Sequence, residues 1–142
     1  MTRYALRVLC AAGIVAAPMA LAATPAQAVT SCTVNGRPVS GTAVTGTAGS
    51  DNISCGALAP GDSVNGLGGS DYIVINGTVA GTVDGGGGSD SITASAGTTV
   101  SGRILGGADG DFILVGPNAG TVDGGPGSDY CRVASGNPPV NC

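Results

Sequence analysis

From residue 37 to residue 132 the chain can be written as ten nonapeptides, 37-45, 46-54, 57-65, 66-74, 76-84, 85-93, 97-105, 106-114, 115-123 and 124-132, with one to three residues inserted at three joins. Their eighth positions read Val44, Ile53, Val64, Ile73, Val83, Ile92, Ile104, Ile113, Val122 and Cys131, and nine of these ten are β-branched. One inward β-branched side chain per short segment is what a stack of very short strands needs to fill a narrow interior. The sixth positions read Thr42, Asp51, Asp62, Asp71, Gly81, Asp90, Gly102, Asp111, Gly120 and Asp129. Because Asp alternates there with other residues, two nonapeptides make one turn of a coil and alternate units lie on opposite edges. A disordered Gly-rich segment would not keep that register. The pattern predicts an all-β fold, a right-handed parallel β-roll (a β-solenoid) of about five turns, with no antiparallel hairpin.

Ahead of the repeats, Arg3 and Arg7 stand at the start of an apolar stretch from Ala5 to Ala23, and Ala26-Gln27-Ala28 supplies a small-x-small cleavage site. Residues 1-28 therefore read as a cleaved secretory signal, which leaves 29-142 as one domain with caps at 29-36 and 133-142. Gly13 and Pro18 interrupt the apolar stretch, and no second apolar run of about 18 residues follows, so no membrane anchor is expected after cleavage. The mature chain holds Arg37, Arg103 and Arg132 against nine Asp, a net charge of −6, which argues against nucleic acid as a partner. A single Phe and no Trp exclude a bulky globular core.

Cys32, Cys55, Cys131 and Cys142 fit two disulfides in an oxidising, extracellular compartment. In the predicted coil Cys55 and Cys131 stand about four strand rises, or roughly 19 Å, apart. A disulfide tolerates Cα separations of only about 4.4 to 6.8 Å. The expected pairs are therefore Cys32 with Cys55 and Cys131 with Cys142, each capping one end.

The Asp-bearing units carry the chemistry. They are Gly46-Thr47-Ala48-Gly49-Ser50-Asp51, Gly66-Leu67-Gly68-Gly69-Ser70-Asp71, Gly85-Gly86-Gly87-Gly88-Ser89-Asp90, Gly106-Gly107-Ala108-Asp109-Gly110-Asp111 and Gly124-Gly125-Pro126-Gly127-Ser128-Asp129. In tandem these resemble the haemolysin-type (RTX) calcium-binding repeat, G-G-x-G-x-D-x-U-x. The resemblance implies a parallel β-roll with calcium between stacked loops, and Asp51, Asp71, Asp90, Asp109, Asp111 and Asp129 as metal residues. The residues support the same chemistry on their own terms. Calcium takes six to eight oxygens, glycines let a loop aim its carbonyls at one point, and Asp supplies formal charge. Stacked carboxylates near 5 Å apart repel by about 3 kcal/mol per pair at an effective dielectric of 20, so the array calls for a cation. Thr47 and Leu67 stand where the second Gly is expected, which puts the terminal gap in doubt, whereas Asp109 adds a carboxylate beside Asp111. Asp62 sits on the opposite edge with no carboxylate neighbour to share an ion, and Asp84 and Asp123, which just precede the metal loops, read as solvated rather than as supports for the metal ligands.

The chain has no His, Glu or Lys, and its cysteines read as paired, so no enzyme is expected. The sequence reading is a secreted calcium-binding protein with calcium as its partner ion; no protein or surface partner is legible. The competing reading is an extracellular structural, adhesive or ice-binding solenoid in which calcium is structural or absent. Thr78, Thr82, Thr98, Thr99 and Thr121 on the Gly-type edge are the residues that would form such a face.

Overall fold

Every one of the ten eighth-position residues lies in a strand with its side chain inward. The computed structural model describes residues 30–95 and 97–142, so the predicted signal 1-28 lies outside the described residues. The strands are β1 (Thr30–Val34), β2 (Arg37–Gly41), β3 (Ala43–Thr45), β4 (Asn52–Cys55), β5 (Ser63–Asn65) and β6 (Tyr72–Ile75). They continue as β7 (Thr82–Gly87), β8 (Ser91–Ala94), β9 (Arg103–Ala108), β10 (Phe112–Asn118), β11 (Thr121–Asp123) and β12 (Tyr130–Gly136), and the described residues contain no helix. One sheet has the order β12-β10-β8-β6-β4-β1-β2 and the other β11-β9-β7-β5-β3.

Parallel pairing joins each strand to the one a full turn later. Val44, Val64, Val83, Ile104 and Val122 are direct partners down the five-stranded sheet. Ile53, Ile73, Ile92, Ile113 and Cys131 are partners down the other. The nine aliphatics are fully buried and Cys131 partly so. The result is an all-β solenoid of about five turns, as the nonapeptide register predicts.

The interior is wider than one side chain per nonapeptide. Cys55, Ile75, Ala94 and Val115 form a second buried row, two positions beyond the first. Side chains two apart on a strand share a face, so Ile73-Val74-Ile75 places both isoleucines inside. A third row, Leu58, Val79 and Val100, lines the turn between the sheets and passes into the buried Asn118. Residues 55, 75 and 94, which the nonapeptide scheme treats as insertions, are thus part of the core.

The N-terminal end departs from the expected all-parallel pattern. β1 pairs antiparallel with both β2 and β4, so residues 37–41 belong to a capping hairpin and the parallel coil starts at β3. Local chemistry explains the hairpin, because Asn35 and Gly36 both take positive φ, 52° and 75°, in a two-residue turn between Val34 and Arg37. Cys32 is bonded to Cys55 and Cys131 to Cys142, the pairing expected of two end caps. At the C-terminal end Val140 bridges in parallel to Asp123 and adds a partial rung to the five-stranded sheet.

Candidate metal-binding edge

Five of the six predicted metal residues form one ladder. The backbone N–H of Asp51 donates to Asp71 Oδ1, that of Asp71 to Asp90 Oδ1, that of Asp90 to Asp111 Oδ1 and that of Asp111 to Asp129 Oδ1, each at 2.8 Å. Asp51, Asp71, Asp90 and Asp111 are buried, and Asp129, at the open end, is partly exposed. Asp109 stands outside the ladder as an exposed loop residue. Asp62 lies on the other edge, buried, where its Oδ2 accepts from Thr30 Oγ1 and from the Ala59 N–H at 2.9 Å.

The second carboxylate oxygen behaves differently from rung to rung. Oδ2 of Asp71, Asp90 and Asp111 is buried and has no hydrogen-bond partner among the described residues. Beside each lies the first glycine of its own unit, Gly66, Gly85 or Gly106, without a side chain. A Cβ there would collide with that Oδ2 and with the carbonyl oxygen of the first glycine one turn on, Gly85, Gly106 or Gly124. The space left by the missing Cβ is therefore bordered by the carboxylate Oδ2 and a backbone carbonyl oxygen, and at Gly106 that carbonyl, Gly124 O, also accepts the Gly107 N–H at 3.0 Å. The Oδ2 atoms are the unmatched partners of these pairs, and an unmatched buried polar atom costs about 1 to 3 kcal/mol, which a proton or a cation beside it would offset.

Those three rungs also share one loop conformation. Positive φ occurs at the second and fourth positions of each, at Leu67 and Gly69, Gly86 and Gly88, and Gly107 and Asp109. In the first rung neither Thr47 nor Gly49 has positive φ, and Thr47 turns both its N–H and its Oγ1 onto Asp51 Oδ2. Asn35 Nδ2, from the hairpin turn, donates to Asp51 Oδ1. Both oxygens of Asp51 are thereby satisfied by protein donors. Sequence reasoning flagged Thr47 as a departure but did not see Asn35, which lies before the repeats and reaches the ladder only through the hairpin.

Electrostatics divides the rungs in the same way. Donation from the Thr47 backbone, opposed by desolvation and reinforced by the side chains of Asn35 and Thr47, lowers the pKa of Asp51 from its ordinary 3.8. Burial raises Asp71, with the Asp51 charge adding to it. Asp111 is raised by burial and by the charges of Asp129 and Asp109. Asp90, in the middle, is pushed up to about 6 by burial and then by the charges of Asp111, Asp71 and Asp84. Each raised group also accepts an N–H that opposes the shift, so burial and like charge outweigh a hydrogen bond.

The donor set decides which ion suits the edge. Among the described residues no three His, Cys, Asp or Glu side chains group around one point. An ion here would rest on carboxylate and backbone carbonyl oxygens, the hard donors that suit calcium rather than the N and S ligands that suit zinc. The buried, partnerless Oδ2 atoms and the carbonyl oxygens beside them fit such an ion at Asp71, Asp90 and Asp111. Beside Gly46 the Asp51 Oδ2 and the Gly66 carbonyl meet in the same way, but Thr47 already donates to that Oδ2.

Among the described residues the threonines of the Gly-type edge form no continuous row. Thr82 and Thr121 share a row with Ser63, but Arg103 interrupts it, and Thr98 is buried. Compared with known proteins, the chain matches no family model, no curated protein and no solved structure.

Proposed function

We propose that this chain is a secreted, non-catalytic calcium-binding protein whose ions stand between successive turns of the Asp ladder, in the manner of the haemolysin-type repeats that it resembles. The single observation that supports this most is the set of three buried Oδ2 atoms, at Asp71, Asp90 and Asp111, that have no partner. Asp71 with the Gly85 carbonyl, Asp90 with that of Gly106 and Asp111 with that of Gly124 would each contribute to one position. Bound calcium supplies the positive charge that these acceptors lack. The protein's own part is to stack the carboxylates, hold one oxygen of each with an N–H and exclude water from the other. Two disulfides suit an oxidising compartment, and the predicted signal at 1-28 provides the route to it.

Calcium titration of the mature protein by calorimetry and circular dichroism, at fixed ionic strength, tests the reading. Expected is uptake of at least three ions per chain, with affinity in the range of about 10⁻⁴ to 10⁻³ M or tighter, as in other extracellular modules, and a gain of β-structure. No heat and an unchanged spectrum at saturating calcium would leave a purely structural solenoid in its place.

A further inference from the structure

The two ends of the ladder are finished in opposite ways. At the N-terminal end Asn35 and Thr47 present donors to Asp51, and the ladder is closed by protein. At the C-terminal end the tail presents an acceptor. The carbonyl oxygen of Asn141 occupies, beside Gly124, the place that the next unit's first-glycine carbonyl occupies beside Gly66, Gly85 and Gly106. Asp129 Oδ2 lies 2.8 Å from where a Cβ on Gly124 would be, so it borders the same space as that carbonyl. Asn141 has a donor of its own, but its Nδ2 points elsewhere, to Asp123 Oδ1 at 2.8 Å.

The placement of this carbonyl is over-determined. The Val140 N–H donates to Val122 O and the Gly124 N–H to Val140 O, both at 3.0 Å, which pins the tail as a sixth partial rung. Asp123 Oδ1 also accepts from the Gly125 N–H at 3.1 Å, so one carboxylate ties the metal-side loop to the tail. Cys142, the next residue, is bonded to Cys131, two positions past Asp129. Asn141 itself adopts a φ of 49°, in the left-handed region that Asn enters more readily than other side-chain-bearing residues.

We propose that Asp129 and the Asn141 carbonyl form an additional calcium position beyond the last repeat, with Asp123 and the Cys131–Cys142 bridge as the latch that holds the tail against it. This rests on the calcium reading above. It gives Asp123 the positioning role that the sequence allowed beside the favoured solvated one. It also gives the C-terminal bridge a task besides stapling, since cutting it frees the residue next to the carbonyl.

The test is the number of calcium ions bound per chain at saturation, measured by equilibrium dialysis with ⁴⁵Ca on the wild type, on Cys131→Ser/Cys142→Ser, on Asp123→Ala and on Asp123→Asn. The wild type is expected to bind one ion more than the double cysteine variant and one more than Asp123→Ala. Asp123→Asn keeps an oxygen to accept from Asn141 and is expected to hold the wild-type count, although it removes the same charge. Equal counts in the wild type and Asp123→Ala would overturn the proposal, as would equal losses in the alanine and asparagine variants, which would assign the effect to charge alone. Should the cysteine variant lose its β-sheet spectrum, the Asp123 pair, with both bridges intact, decides the matter. A wild type that binds no calcium would instead overturn the reading on which this position rests.

Discussion

At Asp90 the carboxylate has one oxygen bonded to the Asp71 N–H and one without a partner beside the Gly106 carbonyl, and an amide would satisfy both. In Asp90→Asn the retained oxygen can still accept from the Asp71 N–H while the new NH₂ donates toward the Gly106 carbonyl. The variant is therefore expected to be more stable than the wild type without metal at neutral pH, by about 1 to 3 kcal/mol, the scale of an unmatched buried polar group. It should lose the stabilisation that calcium gives the wild type. Thermal melts with and without calcium would show the two curves crossing, and a variant less stable under both conditions would contradict the assignment. Asp62→Asn separates the edges, because its carboxylate bonds Thr30 and Ala59 rather than a neighbouring rung. That change should cost about 1 kcal/mol in a denaturant melt and leave the bound-calcium count unchanged. Leu67 holds a φ of 75° with its side chain about half exposed, so Leu67→Gly should relieve about 1 kcal/mol of backbone strain and raise the melting temperature. The ladder Asp residues were legible from their alternation, whereas Asn35 was not. It acts through a turn that folds back onto the first rung, and no repeat period reports such a contact.

Within the repeating element, the first glycine of each Asp-bearing unit is where carboxylate and next-turn carbonyl meet. Overpacking costs about 1 to 3 kcal/mol, so Gly85→Ala should destabilise the protein by at least that amount and abolish the calcium-induced gain in stability. Gly56→Ala is the control, since a Cβ there meets only Ser31 O, at an ordinary 3.8 Å, and its φ is not positive. Matching losses in the two variants, read by chemical denaturation, would mean that the glycine row serves only general flexibility. The eighth-position row was visible in sequence because a single β-branched residue recurs in every unit. The second and third rows were harder to see. Ala94 and Cys55 are small or doubly employed, Asn118 breaks the aliphatic series at Leu58, Val79 and Val100, and their spacing falls where units of unequal length join. The hairpin 30–41 was misread for a related reason: Val39 and Val44 continue the apolar pattern, while the reversal depends on two residues, Asn35 and Gly36, outside it.

For the molecule as a whole, the raised carboxylates tie stability to pH in a direction that calcium should reverse. Asp71, Asp90 and Asp111 have folded-state pKa values above their ordinary 3.8, Asp90 at about 6, so the metal-free folded state holds protons that the unfolded chain has released. Stability rises with pH only where the unfolded state binds more protons, and here it binds fewer. The contribution of these three groups is therefore fully present below about pH 4 and is lost as pH climbs through their raised folded-state values, for Asp90 about 6. Asp51 works in the opposite sense, since its lowered pKa favours the charged form, but it is one group against three and sits at the end of the stack. Calcium needs the same carboxylates deprotonated, so its binding strengthens across the window in which the metal-free protein weakens. Melting temperatures at pH 4.5 and 7.5, with chelator and with saturating calcium at equal ionic strength, should give a higher value at pH 4.5 in chelator and a higher value at pH 7.5 in calcium. Parallel slopes in the two conditions would show that proton and metal do not compete for the ladder, and would place calcium, if bound, away from Asp71, Asp90 and Asp111.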